Sequence, residues 1–253
     1  MQNMNMLEKP NKMWVWTRGD DHSMELPNPF ELKDWLEHFL YIHNIVNVPE
    51  VTALFLFGGC QRFDLGAIKS TFQKFGILQI QRVSPDHFHI ILEAFLPDID
   101  NLGIGENPFR ETDDRYQKLL IQNLNSLYLG FFGRFRGFNL NELLVCNAAE
   151  IFLQTNGNFE GMNEFLKLWM KGANPRLRLL SISQADVLIF EEILKGVTIH
   201  RVIPANEDIF HGNMLYSRRD NAERQAVNIR RFDGTTGTVI THPTVFYFLS
   251  WNS

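Results

Sequence analysis

Apolar positions recur along this chain in one short grouping: an apolar residue, two others, an apolar residue, one other, and an apolar residue. Six segments carry it, namely Val51/Leu54/Leu56, Phe75/Leu78/Ile80, Ile99/Leu102/Ile104, Leu124/Leu127/Leu129, Ala148/Ile151/Leu153 and Leu177/Leu180/Ile182. Their middle residues are separated by 24, 24, 25, 24 and 29 positions, a sustained period. The last two apolar residues of each group alternate with one intervening position, which puts them on one face of a short strand. Each group therefore predicts a strand, and the period predicts one structural unit repeated six times.

Several of the intervening segments have helical spacing. "DLGAIKSTFQKFG" places Leu65, Ile68, Phe72 and Phe75 near one face and ends in a glycine suited to a helix cap. "SPDHFHIILEAFL" opens with a Ser N-cap and a Pro at the first helical position, followed by the stripe Phe88, Ile91, Leu92, Phe95. "NFEGMNEFLKLWMKGANP" offers an Asn N-cap, the stripe Phe159, Met162, Phe165, Leu166, Trp169, and stop signals at Gly172 and Pro175. "SQADVLIFEEILKG" supplies Val187, Phe190 and Leu194, whereas "GRFRGFNLNELLVC" is too short and too rich in Gly to assign. Strand, helix, strand at this spacing implies a parallel sheet backed by helices. The expected fold is an α/β leucine-rich-repeat-like solenoid of about six strand-helix units with a C-terminal β-hairpin cap.

Both ends depart from the period. "PFELKDWLEHFLYIHN" (residues 29–44) reads as an amphipathic helix with the stripe Leu32, Trp35, Leu36, Phe39, Leu40, preceded by a hairpin remnant in "MWVWTRGDDHSMEL". "AVNIRRFDGTTGTVITHPTVFYFLSW" contains alternating strands around Asp233-Gly234, a hairpin turn signal. Residues 204–224 show no sustained period and are expected to form a long loop. The expected organisation is an N-terminal tail or partial hairpin over 1–27, the solenoid over 28–203, and a loop with the hairpin cap packed on the solenoid over 204–253.

Composition narrows the function classes. With 45% apolar and 21% charged residues, the 253-residue chain is an ordinary globular sequence with an unusual count of 22 Phe. A net charge of -5 provides no global basic field for nucleic acid or an anionic membrane. The first twelve residues carry no apolar signal core and no 18 apolar residues run together, so a cytoplasmic or nuclear location without membrane association is expected. Cys60 and Cys146 match no zinc or redox spacing and are expected to be buried thiols.

Catalytic constellations are absent from the pattern. His87 and His89 sit two apart in a predicted helix and point to different faces, so they cannot share a metal. The carboxylate pairs Asp98/Asp100, Asp113/Asp114 and Glu191/Glu192 read as solvated charge, and "GGCQRFDLG" and "GIGENPF" lack the residues that complete a phosphate loop. No nucleophile stands out with its base; neither an enzyme, a cofactor nor a metal is expected. Arg218, Arg219, Arg224, Arg230 and Arg231 make residues 218–231 locally basic, but acids rather than stacking aromatics lie between them, so RNA binding is a minor alternative.

The strand period does single out a surface. If the Leu positions face the helices, the alternate positions Phe55, Gln79, Gly103, Tyr128, Phe152 and Ser181 face the concave side, flanked by Phe57, Gln81, Glu150 and Gln154. Phe and Tyr there imply cover by another protein, or by helices or loops of the same chain; both readings stand. A second candidate is "GFFGRFRGF", with Phe131, Phe132, Phe135 and Phe138. The partner-binding candidates are thus Phe55, Phe57, Gln79, Gln81, Tyr128, Phe131, Phe132, Glu150, Phe152 and Gln154.

Three motifs resemble the nematode F-box-associated type 2 domain family: "FLKLWMKGANPRLRLLSIS" (165–183), the hairpin "VNIRRFDGTTGTV" with the terminal "FYFLSW", and the opening helix "PFELKDWLEHFL". The resemblance implies a domain that captures a protein substrate while an upstream F-box docks onto the linker subunit of a cullin-type ubiquitin ligase. Residues 1–27 are too few for that three-helix F-box, so a direct ligase link is expected only if an F-box lies upstream. The family implies no catalytic residues. A substrate receptor is the leading expectation, with a non-ligase scaffold or inhibitory subunit of a stable complex as the alternative.

Overall fold

The computed structural model describes residues 12–15, 24–27, 54–58, 60–62, 65–71, 76–109, 114–130, 135–204, 207, 209–211, 214–216 and 224–251. At the N-terminus β1 (Lys12–Val15) and β2 (Met24–Pro27) pair antiparallel, as the hairpin pattern predicts. The helix expected over 29–44 lies outside the described residues.

The centre of the molecule is an open, mixed ten-stranded sheet with helices between many of its strands. Its first six strands are β3 (Leu54–Phe57), β4 (Leu78–Gln81), β5 (Asn101–Ile104), β6 (Ser126–Leu129), β7 (Glu150–Gln154) and β8 (Leu179–Ser183). They run parallel in sequence order, each beside the last. The middle residues of the six sequence groups stand side by side: Leu54 pairs with Leu78, then Leu102, Leu127, Ile151 and Leu180. A period of 24 thus becomes a register in which equivalent side chains stack in one row.

The sheet then changes direction. The remaining strands are β9 (Ile199–Ile203), β10 (Ile209–His211), β11 (Met214–Tyr216), β12 (Gln225–Arg230), β13 (Thr236–His242) and β14 (Val245–Trp251). β14 lies antiparallel to β8, followed by β13, β12 and finally β9. The hairpin expected at Asp233-Gly234 is β12/β13, with Gly234 at φ 94, a conformation glycine adopts without strain. β9, which follows the six periodic segments, is antiparallel to β12. One expectation needs correction: the loop expected over 204–224 contains the antiparallel pair β10/β11.

The described α-helices are α1 (Leu65–Thr71), α2 (Pro85–Phe95), α3 (Asp114–Leu120), α4 (Leu140–Val145), α5 (Met162–Met170) and α6 (Phe190–Ile193). The α2 stripe is buried as expected, although the Ser84 side chain makes no capping hydrogen bond and Pro85 alone sets the start. α5 begins at Met162 after a left-handed Gly161, four residues beyond the Asn158 cap expected from sequence. The segment after β8 forms only the single turn α6, and Val187 is exposed. α4, unassigned from sequence, is fixed by a capping box: Asn139 accepts from the Asn141 and Glu142 amides while the Glu142 carboxylate accepts from the Asn139 amide.

The main core lies between the strands and these helices. Leu78, Leu102, Leu127, Ile151 and Leu180 from the sheet bury fully against Phe88, Ile91, Phe95, Leu119, Phe165 and Trp169. The same cluster runs on into the antiparallel strands through Val227, Val239, Phe246 and Phe248, so the two halves share one core. Cys60 and Cys146 are buried in it, and burial pushes the Cys146 thiol up to about 11.

Candidate functional site

On the face away from the helices, cross-strand pairing aligns ten residues in one row: Phe55, Gln79, Gly103, Tyr128, Phe152, Ser181, Tyr247, Ile240, Ala226, Ile203. The first six are the alternate positions picked out from sequence. Their accessibility is uneven, and that divides the face into regions.

At the β3 end, Phe55 and Phe57 are 45% and 47% exposed, with nearly parallel rings 6.1 Å apart. In the middle, Tyr128 and Phe152 are half-buried and stacked, with centroids 4.6 Å apart and planes inclined by 4°. Such a pair forms a flat aromatic plate worth about 0.5–1.5 kcal/mol beyond its buried area. Burial pushes the Tyr128 hydroxyl above its ordinary pKa; the Ser126 hydrogen bond opposes this and the Glu150 charge adds to it.

Between these aromatics the expectation fails for Gln79, which is 7% exposed. Gly103 has no side chain, and the Gln79 carboxamide folds into the space where a Gly103 Cβ would stand. Gln81 repeats the device over Gly105, where a Cβ would come within 2.7 Å of the Gln81 Cγ, and is half-buried. Gln154 is exposed. Glu150 is half-buried: one carboxylate oxygen accepts from the Ser126 hydroxyl at 2.9 Å, and the other pairs with Arg178 at 3.3 Å.

At the far end the face closes on itself. Leu179, Ile203, Ala226, Ile240 and Leu249 form a second buried cluster, built from strand residues alone, with Phe152, Tyr247 and Trp251 packed against it. The Trp251 indole donates to Thr238 Oγ1 at 2.7 Å, which donates in turn to Asn228 at 2.8 Å, so the polar edge of this cluster is satisfied. Intrachain packing therefore accounts for one flank of Phe152, while its stack with Tyr128 faces the open part of the row. Tyr247 and Trp251 were missing from the sequence-based site; the alternation in "VFYFLSW" carried the signal, but its pairing with β8 was needed to place it.

Of the second candidate, Phe131 and Phe132 lie outside the described residues. Phe135 and Phe138 are buried core, at 0% and 9% exposure. The basic segment also thins out. Buried Arg224 donates to the Pro204 and Glu207 carbonyls at 3.1 and 2.6 Å. Buried Arg231 donates to the Gly172 carbonyl, pairs with Asp233 at 3.3 Å, and lies 5.8 Å from the centroids of both Trp169 and Phe232. Both arginines hold the fold together. Arg218 and Arg219 lie outside the described residues, leaving Arg230 exposed. Among the described residues no group of three His, Cys, Asp or Glu is placed to hold a metal ion, and no helix is long and apolar enough to cross a membrane.

A comparison with protein families matches residues 115–182, from α3 to β8, to the model described as F-box associated. This part of the chain carries the F-box associated signature. Neither the curated proteins nor the solved structures contain a match to the chain.

The structure gives the F-box associated signature a mechanical meaning. After α5, Gly172 at φ 109 closes a Schellman cap, its amide bonding to the Trp169 carbonyl and the Ala173 amide to that of Leu168. Buried Asn174 then donates to the Leu143 and Cys146 carbonyls, at 2.8 and 3.1 Å, closing the C-terminus of α4. Trp169, fully buried, packs edge-on against Phe248 with centroids 4.7 Å apart. Through these contacts the segment ties α4 and α5 to the antiparallel strands.

Proposed function

We propose that this chain is a protein-binding, leucine-rich-repeat-like domain acting as the substrate-recruiting part of an F-box-type ubiquitin ligase receptor in the cytoplasm or nucleus. Binding, without catalysis, is its role. The observation that carries the reading is the row on the face away from the described helices, where Phe55, Phe57 and the Tyr128/Phe152 plate present aromatic surface on paired strands. Aromatic side chains concentrate binding energy because they bury a large area while ordering few torsions. The F-box associated match over 115–182 supports a protein partner. Coupling to a cullin-type ligase then depends on an F-box elsewhere in the protein.

The test is capture of partners from the protein's own cells by the wild-type chain and by Tyr128→Ala and Phe152→Ala. Half-exposed positions in a stack predict a fall in Tm of only about 2–4 °C for each, about 1 kcal/mol. Partner capture should fall at least about tenfold. Unchanged capture would refute the surface, and a collapse of stability would make the plate a core element. Recovery of the ligase linker subunit with the captured material supports the receptor reading; a stable complex without it supports a scaffold.

A further inference from the structure

Just before strands β6, β7 and β8, buried residues alternate with outward ones in the same pattern. Leu124, Ala148 and Leu177 are buried; exposed Asn123 and Asn125 flank the first and exposed Arg176 and Arg178 the last, while half-buried Asn147 and the small, buried Ala149 flank Ala148. The Arg178 amide bonds to the Ala149 carbonyl, and the Ala149 amide to that of Leu124, so these edges are neighbours. Because Ala149 is short, the Arg178 guanidinium reaches across a whole repeat to donate to Asn125 Oδ1 at 2.7 Å. Arg176 likewise reaches Asn123 Oδ1, which also accepts from Asn147 at 2.7 Å. The two arginines, with Asn125, Ala149, Pro175 and Leu177, line a cavity of about 410 Å³.

The charge there is unbalanced. Glu150 is the carboxylate paired with Arg178, and it is already shared with the Ser126 hydroxyl. Arg176 is anchored by a neutral amide oxygen, with no carboxylate within ion-pair distance among the described residues. Two fixed guanidiniums against one carboxylate leave a net positive cavity on a chain of net charge -5. Guanidinium groups held in place by amide acceptors keep their remaining N–H donors for an anion, and they match the oxygens of phosphate or carboxylate in pairs.

We infer that the Arg176/Arg178 cavity binds the anionic group of a partner protein segment, a phosphate monoester or a carboxylate. Glu150 and Phe152 lie two apart on the same strand face, so a segment anchored by its anion here passes directly to the aromatic plate. The identity of the ligand as a protein segment rests on the function proposed above; the anion site itself does not.

The experiment follows the Arg176 and Arg178 Nε–H signals by NMR in the full chain. Inorganic phosphate, N-acetyl-phosphoserine amide and N-acetyl-glutamate amide are titrated against sodium chloride of equal ionic strength. Saturable shifts with half-points in the roughly millimolar range are expected for the oxyanions and not for chloride. A stronger response to phosphoserine amide assigns the site to phosphorylated segments, and a stronger one to glutamate amide assigns it to acidic segments. Arg176→Gln, an exposed change away from Glu150, should weaken binding at least about fivefold, with circular dichroism unchanged. Arg178→Lys keeps the charge but not the fork, and should weaken it too. Shifts that match chloride, or that survive Arg176→Gln, overturn the inference. If Tyr128→Ala abolishes partner capture while Arg176→Gln leaves capture and anion binding intact, the anion site falls and the binding face stands.

Discussion

The six parallel strands and the four antiparallel strands beside them present the same two faces but return the chain by different means. Between parallel strands a helix or longer segment must carry the chain back, and it covers one face as it passes; the described helices pack on that face and leave the opposite one to the strands. In the antiparallel part, β12, β13 and β14 follow each other through short turns, and β14 returns directly to β8. There the opposite face gathers its own buried cluster of Leu179, Ile203, Ala226, Ile240 and Leu249. The parallel part retains Phe55, Phe57 and the Tyr128/Phe152 plate as accessible aromatic surface. One half is a platform and the other an anchor, and the F-box associated signature is the bolt between them.

The largest effect is expected from Trp169→Ala. Its ring fills the space between α5 and the antiparallel strands, touching Phe248 and standing where a Gly237 Cβ would come within 2.9 Å. The loss should cost about 3–5 kcal/mol, read from the urea midpoint. Hydrogen exchange should accelerate more in β12–β14 than in β5–β7. Uniform acceleration would show the two halves to be a single cooperative unit.

A smaller effect is expected at Asn174, whose side chain satisfies two carbonyls at the end of α4 from a left-handed φ of 47. Asn174→Gly retains the backbone conformation and removes only the hydrogen bonds, so about 1–3 kcal/mol should be lost. Gly237→Ala acts from the other side of the joint. A Cβ would stand 2.7 Å from Phe248, and overpacking should cost about 1–3 kcal/mol in thermal or urea unfolding. A change at Gly157, with nothing within 4 Å of its Cβ position, is the control expected to cost far less.

The smallest effect concerns chemistry rather than stability. With its pKa raised to about 11, the Cys146 thiol stays protonated through neutral pH and rises toward thiolate only above about pH 10. Labelling by a soluble disulfide reagent at pH 8 should therefore be slow in the folded chain and fast after denaturation. Rapid labelling of the native protein would mean that this part of the parallel half opens readily.

How legible the fold was from sequence depended on the length of the signal. Each parallel strand announced itself through apolar letters repeated at a period, and the last two letters of every group found their expected rows; Val51 and Phe75 lie outside the described residues. α4 was hidden because its evidence is polar: Asn139 and Glu142 hold it, and a search for apolar stripes passes over a capping box. The antiparallel strands were individually readable around Asp233-Gly234, yet nothing local says that β14 pairs with β8 or that β9 closes the sheet. The site followed the same rule. Alternation placed Phe55, Tyr128 and Phe152 on one face, but Gln79 was lost to the gap left by Gly103, and Tyr247 and Trp251 were gained through long-range pairing.

The central claim is that partners bind the face away from the described helices. A photo-crosslinking phenylalanine analogue placed at Phe55, 45% exposed on that face, tests it against the same analogue at Ile90, 53% exposed on α2. Irradiation in the protein's own cells should give crosslinked partner from position 55 and none above background from position 90. Crosslinks from position 90 without any from position 55 would contradict the account.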